Sequence, residues 1–351
     1  MNYTINITRT ISALVLTLCT AFATAGTLQS YNANPTQVTI SGISSGGAMA
    51  VQVHVAYSAT FKGAAIFAGA PYDCAEDSLA NALTRCMNAA TASEIPVPHL
   101  VDTALTWANQ GLIDNTANLY NTKLYLFSGL LDAVVHQPGM DAARDFYLYF
   151  VNPANIIYNN QTAAGHAWIS LLGPNACAVT ASPYVNNCNI DPEQTFLTAM
   201  YGPLKPKAVG ALSGQFLPFD QGEFFDDRNP TAHSVDNNGW VYVPASCAQG
   251  AECRLHVAFH GCNQSFTAVG DQFFRRTGLN EWADTNNIIV LYPQAVPNVT
   301  TTQVNNQGCW DWWGYDDANY AVKSGRQMLM TKRMVDRITS GYKRKGKPSV
   351  H

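Results

Sequence analysis

Residues 36–58, TQVTISGISSGGAMAVQVHVAYS, change hydrophobic period partway through. Alternating apolar positions give way to a cluster of glycine and serine, and then to apolar positions spaced for a helix, which predicts a strand, a tight turn and a helix. KGAAIFAGA (62–70) and KLYLFSGLLD (123–132) are short apolar runs with β-branched and aromatic residues, and they predict two buried strands. Further along, NGWVYVPA (238–245) and RLHVAFHGC (254–262) read as strands. A helical pattern runs through FFRRTGLNEWADTNN (273–287), and IIVLYPQ (288–294) reads as another strand. Strands alternating with helices predict an α/β protein with a mostly parallel sheet covered by helices. No repeat or composition change marks a domain boundary, so residues 26–351 are expected to form a single domain.

The first residues add a targeting signal to this picture. Arg9 precedes an apolar run from Ile11 to Phe22, and Ala23-Thr24-Ala25 supplies an A-x-A cleavage pattern, so residues 1–25 read as a secretory signal peptide. About 12 apolar residues are too few to span a hydrocarbon core that needs roughly 20. Leu18 before Cys19 is not the small residue that a lipidation signal would carry. The expected location is extracellular, with the periplasm as the alternative. Lys+Arg number 20 against 24 Asp+Glu, with no basic stripe, which argues against a nucleic-acid partner. Nothing else in the chain is apolar enough for stable membrane insertion.

Nine cysteines, less Cys19, leave an even set that suits an oxidising compartment. Eight cysteines allow 105 connectivities. Spacing favours the short loops Cys74 with Cys86, Cys177 with Cys188, and Cys247 with Cys253, and elimination leaves Cys262 with Cys309. Neither C-x-x-C nor a zinc-type Cys/His spacing occurs, so no metal and no organic cofactor is expected.

Gly42-Ile43-Ser44-Ser45-Gly46 fits G-x-S-x-G between a predicted strand and a predicted helix. In that context the turn lifts a serine hydroxyl above the sheet, as in α/β-hydrolases. A serine needs a base, and the base needs an orienting carboxylate. Asp132 follows the strand at 123–131, where a carboxylate would emerge at the catalytic edge; Asp114 lacks that placement. His166, in the small-residue turn QTAAGHAW, is preferred as the base over His136, and His54 falls inside the predicted helix. Two oxyanion donors are expected, the N–H of Ser45 and the N–H of Cys262 in HGCNQ (260–264), with His260 in a structural role. A Cys262–Cys309 bond would bring Trp310, Trp312 and Trp313 to the serine as an aromatic wall suited to an apolar acyl chain, core packing being the competing use. The HG loop follows the elbow here, whereas in the usual order it precedes it, so a circularly permuted hydrolase is expected. Surface termini lying near each other make that tolerable.

SGISSGGAMAVQVHVAYSATFKGAAIFAGAPYDCA, SGLLDAVVHQPGM, DPEQTFLTAMYGPL, QFLPFDQGEFF, HVAFHGCNQS and GCWDWWGY closely resemble segments of poly(3-hydroxybutyrate) depolymerases, above all the single-domain, circularly permuted fungal type. The resemblance implies hydrolysis of short-side-chain polyesters to hydroxybutyrate monomers and oligomers, with Ser44, Asp132 and His166 as triad and Ser45 and Cys262 as oxyanion donors. Many bacterial members carry a separate substrate-binding domain; none is expected in this chain, so adsorption to polymer would use the catalytic surface itself. Two other readings compete: a feruloyl or acetylxylan esterase acting on plant cell-wall esters, and an inactive secreted polymer- or glycan-binding protein.

Overall fold

The computed structural model describes Met1, residues 25–299 and residues 304–343. The expected signal peptide, apart from its two end residues, lies outside the described residues, as does Cys19. Eight strands form the main sheet: β1 (Ala33–Ile43), β2 (Phe61–Phe67), β3 (Lys123–Phe127), β4 (Ile156–Asn159), β5 (Gln215–Asp220), β6 (Asn238–Val243), β7 (Cys253–Phe259) and β8 (Ile288–Tyr292). From edge to edge they lie in the order β4-β3-β2-β1-β7-β8-β6-β5. The pairings from β4 to β8 are parallel, and β6 runs antiparallel to both of its neighbours, β8 and β5. β1 and β7 are therefore adjacent, with Ile40 opposite Val257 and Gly42 opposite Phe259, although about two hundred residues separate them in the chain.

The central strands read as near-continuous apolar runs because both faces are covered. Val38, Ile40, Leu124, Leu126, Ile289 and Leu291 join one core cluster. The intervening Ile43, Tyr125, Phe127, Ile288, Val290 and Tyr292 join the other. Helices α1 (Ser45–Ala56), α2 (Val97–Asn109), α3 (Gln137–Leu148) and α6 (Arg326–Thr339) supply residues such as Met49, Leu100, Phe146 and Met334 to the first cluster. On the opposite face α4 (Pro192–Tyr201) and α5 (Leu279–Asn286) contribute Phe196 and Trp282.

Three elements differ from the sequence expectation. The helix expected over 273–287 is split: a short helix ends at Arg276, Gly278 adopts φ +75°, and α5 begins at Leu279. A side chain at Gly278 would crowd Ser170 and Glu193, so the glycine serves both the turn and the packing. β4 and β5 carry no clear period-2 signal. β4 is a four-residue edge strand with no fully buried residue, and β5 contains Pro218, which an edge strand tolerates.

Among the described residues the disulfides are Cys74–Cys86, Cys177–Cys188 and Cys247–Cys253, the pairs that spacing favours, and Cys262–Cys309, the pair that elimination leaves. Among the described residues no helix is long and apolar enough to cross a membrane.

Candidate active site

Ser44 occupies the turn between β1 and α1, with φ 57° and ψ −126°, a conformation that costs a non-glycine residue free energy and that tight elbows use to expose a side chain. The glycines around it are required by space. A Cβ on Gly42 would overlap the Gly46 carbonyl oxygen, and one on Gly46 would overlap the carbonyl oxygen of His260, the residue that follows the neighbouring β7. The Ser44 N–H donates to the Phe67 carbonyl at 2.9 Å, which ties the elbow to β2.

His166 and Asp132 meet at the same end of the sheet. His166 Nδ1 lies 2.7 Å from Asp132 Oδ2. The other carboxylate oxygen accepts the N–H groups of Val134 and Val135, both at 2.9 Å, so Asp132 is fixed before it reaches the imidazole. The His166 N–H donates to Thr180 Oγ1 at 2.9 Å, anchoring the backbone that presents the ring. His166 and Asp132 are both buried, whereas Ser44 is partly exposed.

The competing groups are engaged elsewhere. His54 is fully buried in α1, 3.0 Å from the Tyr147 hydroxyl, and burial, with a smaller contribution from Lys62, lowers its pKa to about 3. His136 stands at the residue before α3, with its main-chain N–H donated to the Met87 carbonyl. Asp114 accepts the Ala59 N–H and pairs with Lys323.

The HG loop runs directly over the elbow: a Cβ on Gly261 would lie 3.2 Å from the Ser44 Cβ. His260 is buried between two main-chain partners. Its Nε2 accepts the Ala295 N–H at 3.0 Å, so the ring proton is on Nδ1, which donates to the Gly261 carbonyl at 2.7 Å. Burial lowers its pKa to about 4, the Gly261 hydrogen bond opposing, so the ring stays neutral. Gln264 accepts the Gly261 N–H at 2.8 Å and donates to the carbonyls of Pro183 and Tyr184 at 3.0 and 2.9 Å. One amide thus joins the HG loop to the segment that also carries Thr180. In the sequence, the signal for this role is the glutamine three places after the glycine of HGCNQ.

A cavity of about 490 Å³ has Ser44, Ser45, His166 and Cys262 in its lining. Leu79, Leu83, Met87, Val134 and Val135 form an apolar side, while Asn263, Gln264, Asn305 and Asn306 supply amides. Trp312 and Trp313 also line it. Trp310 corrects the expectation of three wall tryptophans: it is fully buried, packs edge-on against Phe259 at 4.8 Å between ring centres, and donates its indole N–H to the His260 carbonyl at 3.0 Å. Core packing claims it because it braces the base of the HG loop. Asp311, between the tryptophans, is almost fully buried. Burial and the neighbouring Asp316 push its pKa up to about 7, against main-chain hydrogen bonds that hold it down. Among the described residues no group of three His, Cys, Asp or Glu is arranged to hold a metal ion.

Taken together, the sheet and the serine elbow define an α/β-hydrolase. No family model matches the chain. It is 50% identical over 310 residues to "Poly(3-hydroxybutyrate) depolymerase" of Delftia acidovorans, an alignment covering 87% of this chain and 60% of the relative. The chain therefore spans less than two thirds of that relative's length. To "Polyhydroxybutyrate depolymerase" of Talaromyces funiculosus it is 38% identical over 343 residues, covering 94% of this chain and 97% of the relative. The solved structure of a PHB depolymerase from Penicillium funiculosum matches with a TM-score of 0.84 at 38% identity, over 90% of this chain and all of that one. A PHB depolymerase carrying a serine-to-alanine substitution, complexed with R3HB trimer, matches equally well. The chain belongs to the poly(3-hydroxybutyrate) depolymerase family.

Proposed function

We propose that the chain is an exported serine esterase that hydrolyses poly(3-hydroxybutyrate)-type polyesters to hydroxybutyrate monomers and oligomers. The observation that carries the reading is the convergence, on one cavity, of a strained Ser44 elbow and a His166 held at 2.7 Å by a pre-anchored Asp132. His166 Nε2 takes the Ser44 proton while Asp132 keeps the Nδ1–H tautomer, and Ser44 Oγ attacks the ester carbonyl. The N–H groups of Ser45 and Cys262 stabilise the tetrahedral oxyanion. Collapse expels the alcohol end of the polymer, protonated by His166, and leaves a hydroxyacyl ester on Ser44. Water, deprotonated by His166, then releases the hydroxy acid.

Family membership supports the polyester substrate, as does the character of the mouth. Leu79, Leu83 and Val304 line the cavity and are each about half exposed or more. Exposed aliphatic side chains at a catalytic mouth suit contact with a water-insoluble polymer. The four disulfides support export to an oxidising compartment. We also read residues 26–351 as one catalytic domain whose strand order is that of a permuted hydrolase. Contacts between the described ends support this: the Tyr31 N–H donates to the Ile338 carbonyl at 2.9 Å, and the Lys343 N–H to Asn32 Oδ1 at 2.8 Å.

The test is clearing of amorphous poly(3-hydroxybutyrate) granules, with released 3-hydroxybutyrate, by the mature protein and by Ser44→Ala. Clearing by the parent alone is expected. Clearing by both would remove Ser44 from the role. Failure of both, with a soluble ester still cleaved by the parent, would reassign the substrate.

A further inference from the structure

The two cavity tryptophans lie on a stretch with no helix or strand ladder to shape it. One side chain, that of Asp311, bonds the main chain of four residues in the stretch from 311 to 317. Asp311 Oδ1 accepts the N–H groups of Gly314 and Tyr315 at 2.9 and 3.0 Å. Its Oδ2 accepts those of Asp316 and Asp317 at 3.2 and 3.1 Å. An ionised carboxylate is acceptor-only and can take all four. Asp311 is itself tethered on both main-chain sides. Its N–H donates to Gln327 Oε1 at 2.9 Å, and its carbonyl accepts from Gln52 Nε2 at 3.2 Å. Gln52 belongs to α1, the helix that starts at the elbow, and Gln327 to α6.

Trp312 and Trp313 are the residues looped between the carboxylate and its first N–H partner. Their rings meet edge-on at 5.8 Å between centres, and Trp313 packs on Tyr315 at 4.8 Å. Tyr315 is fixed in turn, its hydroxyl donating to the Cys309 carbonyl at 2.7 Å. The carboxylate does not line the cavity, so it touches no substrate.

We propose that Asp311 is a positioning residue for polyester binding, holding Trp312 and Trp313 in the cavity wall through its four main-chain hydrogen bonds. The proposal rests on the reading of this cavity as the ester site. Replacing Asp311 by Asn keeps the size of the side chain, but it turns one oxygen into an N–H donor facing two N–H groups. The loop then loses one acceptor with the two hydrogen bonds it took and gains a repulsion, and the indoles lose their fixed placement.

The test is a cycle on a soluble hydroxybutyrate trimer ester: the parent, Asp311→Asn, the double variant Trp312→Ala with Trp313→Ala, and all three changes together. Asp311→Asn is expected to raise KM about tenfold while kcat falls less than about threefold, the signature of lost binding common to ground and transition states. Because the effect acts through the indoles, adding Asp311→Asn to the double variant should change KM by less than about twofold. If Asp311→Asn does not fold, Gln327→Met replaces it, since it removes the bond to the Asp311 N–H, together with those to the His233 carbonyl and the Tyr315 hydroxyl, and leaves the carboxylate in place; a smaller KM rise that again vanishes without the indoles is expected. An equal KM rise with and without the indoles would overturn the proposal, as would a loss confined to kcat. Turnover retained by Ser44→Ala would instead refute the site reading beneath it.

Discussion

His260 allows the geometry of the oxyanion loop to be tested apart from its stability. In a trans peptide the C=O of one residue and the N–H of the next point in opposite directions within one plane. The bond from His260 Nδ1 to the Gly261 carbonyl, 2.7 Å, therefore also sets the direction of the Cys262 N–H. The bond from the Ala295 N–H to Nε2, 3.0 Å, holds the ring but has no part in that plane. The two can be separated by length. Asn places its amide near the Nδ1 position and can donate to Gly261; Gln reaches the Nε2 position and can accept from Ala295. Each variant leaves one fully buried main-chain group unpaired, at about 1–3 kcal/mol. Both should therefore lose similar stability in urea unfolding. Their kcat values should differ: His260→Gln frees the plane and should lose about 10²-fold, toward the range for deleting one oxyanion donor, while His260→Asn should stay within about fivefold of the parent. Binding of a boronate transition-state analogue should fall in the same order. Equal kcat losses that simply follow stability would refute the argument and leave His260 as packing alone.

Two other perturbations follow from the site. In Asp132→Asn, the amide oxygen would remain with the Val134 and Val135 N–H groups and the NH₂ would face His166 Nδ1. The imidazole would then adopt the wrong tautomer, and kcat for a soluble ester should fall by about 10⁴-fold with the melting temperature little changed; a loss below about tenfold would exclude Asp132 as the orienting group. His54 has a folded pKa of about 3 against 6.5 for the free group, so its contribution to stability is complete above pH 6.5 and is lost as pH falls toward 3. His54→Asn can keep the Tyr147 hydrogen bond, which is made at Nδ1, but cannot take up that proton. Between pH 6 and 4 the slope of unfolding free energy against pH should therefore decrease by about 1.4 kcal/mol per unit; an unchanged slope in urea titrations would refute this. Asp73 and Asp311, raised to about 6 and about 7 largely by burial, act in the opposite sense, so the change in slope is more informative than the slope itself.

The parts of the fold legible in the sequence are those where local pattern and burial agree. β1, β2, β3, β7 and β8 are covered on both faces, so their apolar runs had one reading. β4 and β5 at the sheet edges are held by pairing, and a short edge strand or one with a proline leaves little periodic trace. The elbow was legible because Gly42, Ser44 and Gly46 answer a steric demand that few other residues meet. Trp310 was not, because an indole in a wall and an indole under a loop look alike in one dimension; only its bond to the His260 carbonyl separates it from Trp312. Asp311 was hidden for a related reason: its partners are backbone N–H groups, which every residue carries.

The chemistry requires two strands to be neighbours and leaves their order in the chain open. The elbow must end a strand whose neighbour ends in the HG loop, because Gly46 and the His260 carbonyl are in contact and Gly261 passes over Ser44. That requirement concerns adjacency of β1 and β7, not which comes first. A chain in which β1 precedes β7 satisfies it as well as the reverse order does, provided the link that would otherwise join the halves can be dispensed with. Here the segment before β1 is hydrogen-bonded to the end of α6, through the Tyr31 N–H to the Ile338 carbonyl and Arg337 to the Leu28 carbonyl at 3.2 Å. Noncovalent contacts do the work of a connecting loop, which is the condition under which a permuted order would cost the site nothing.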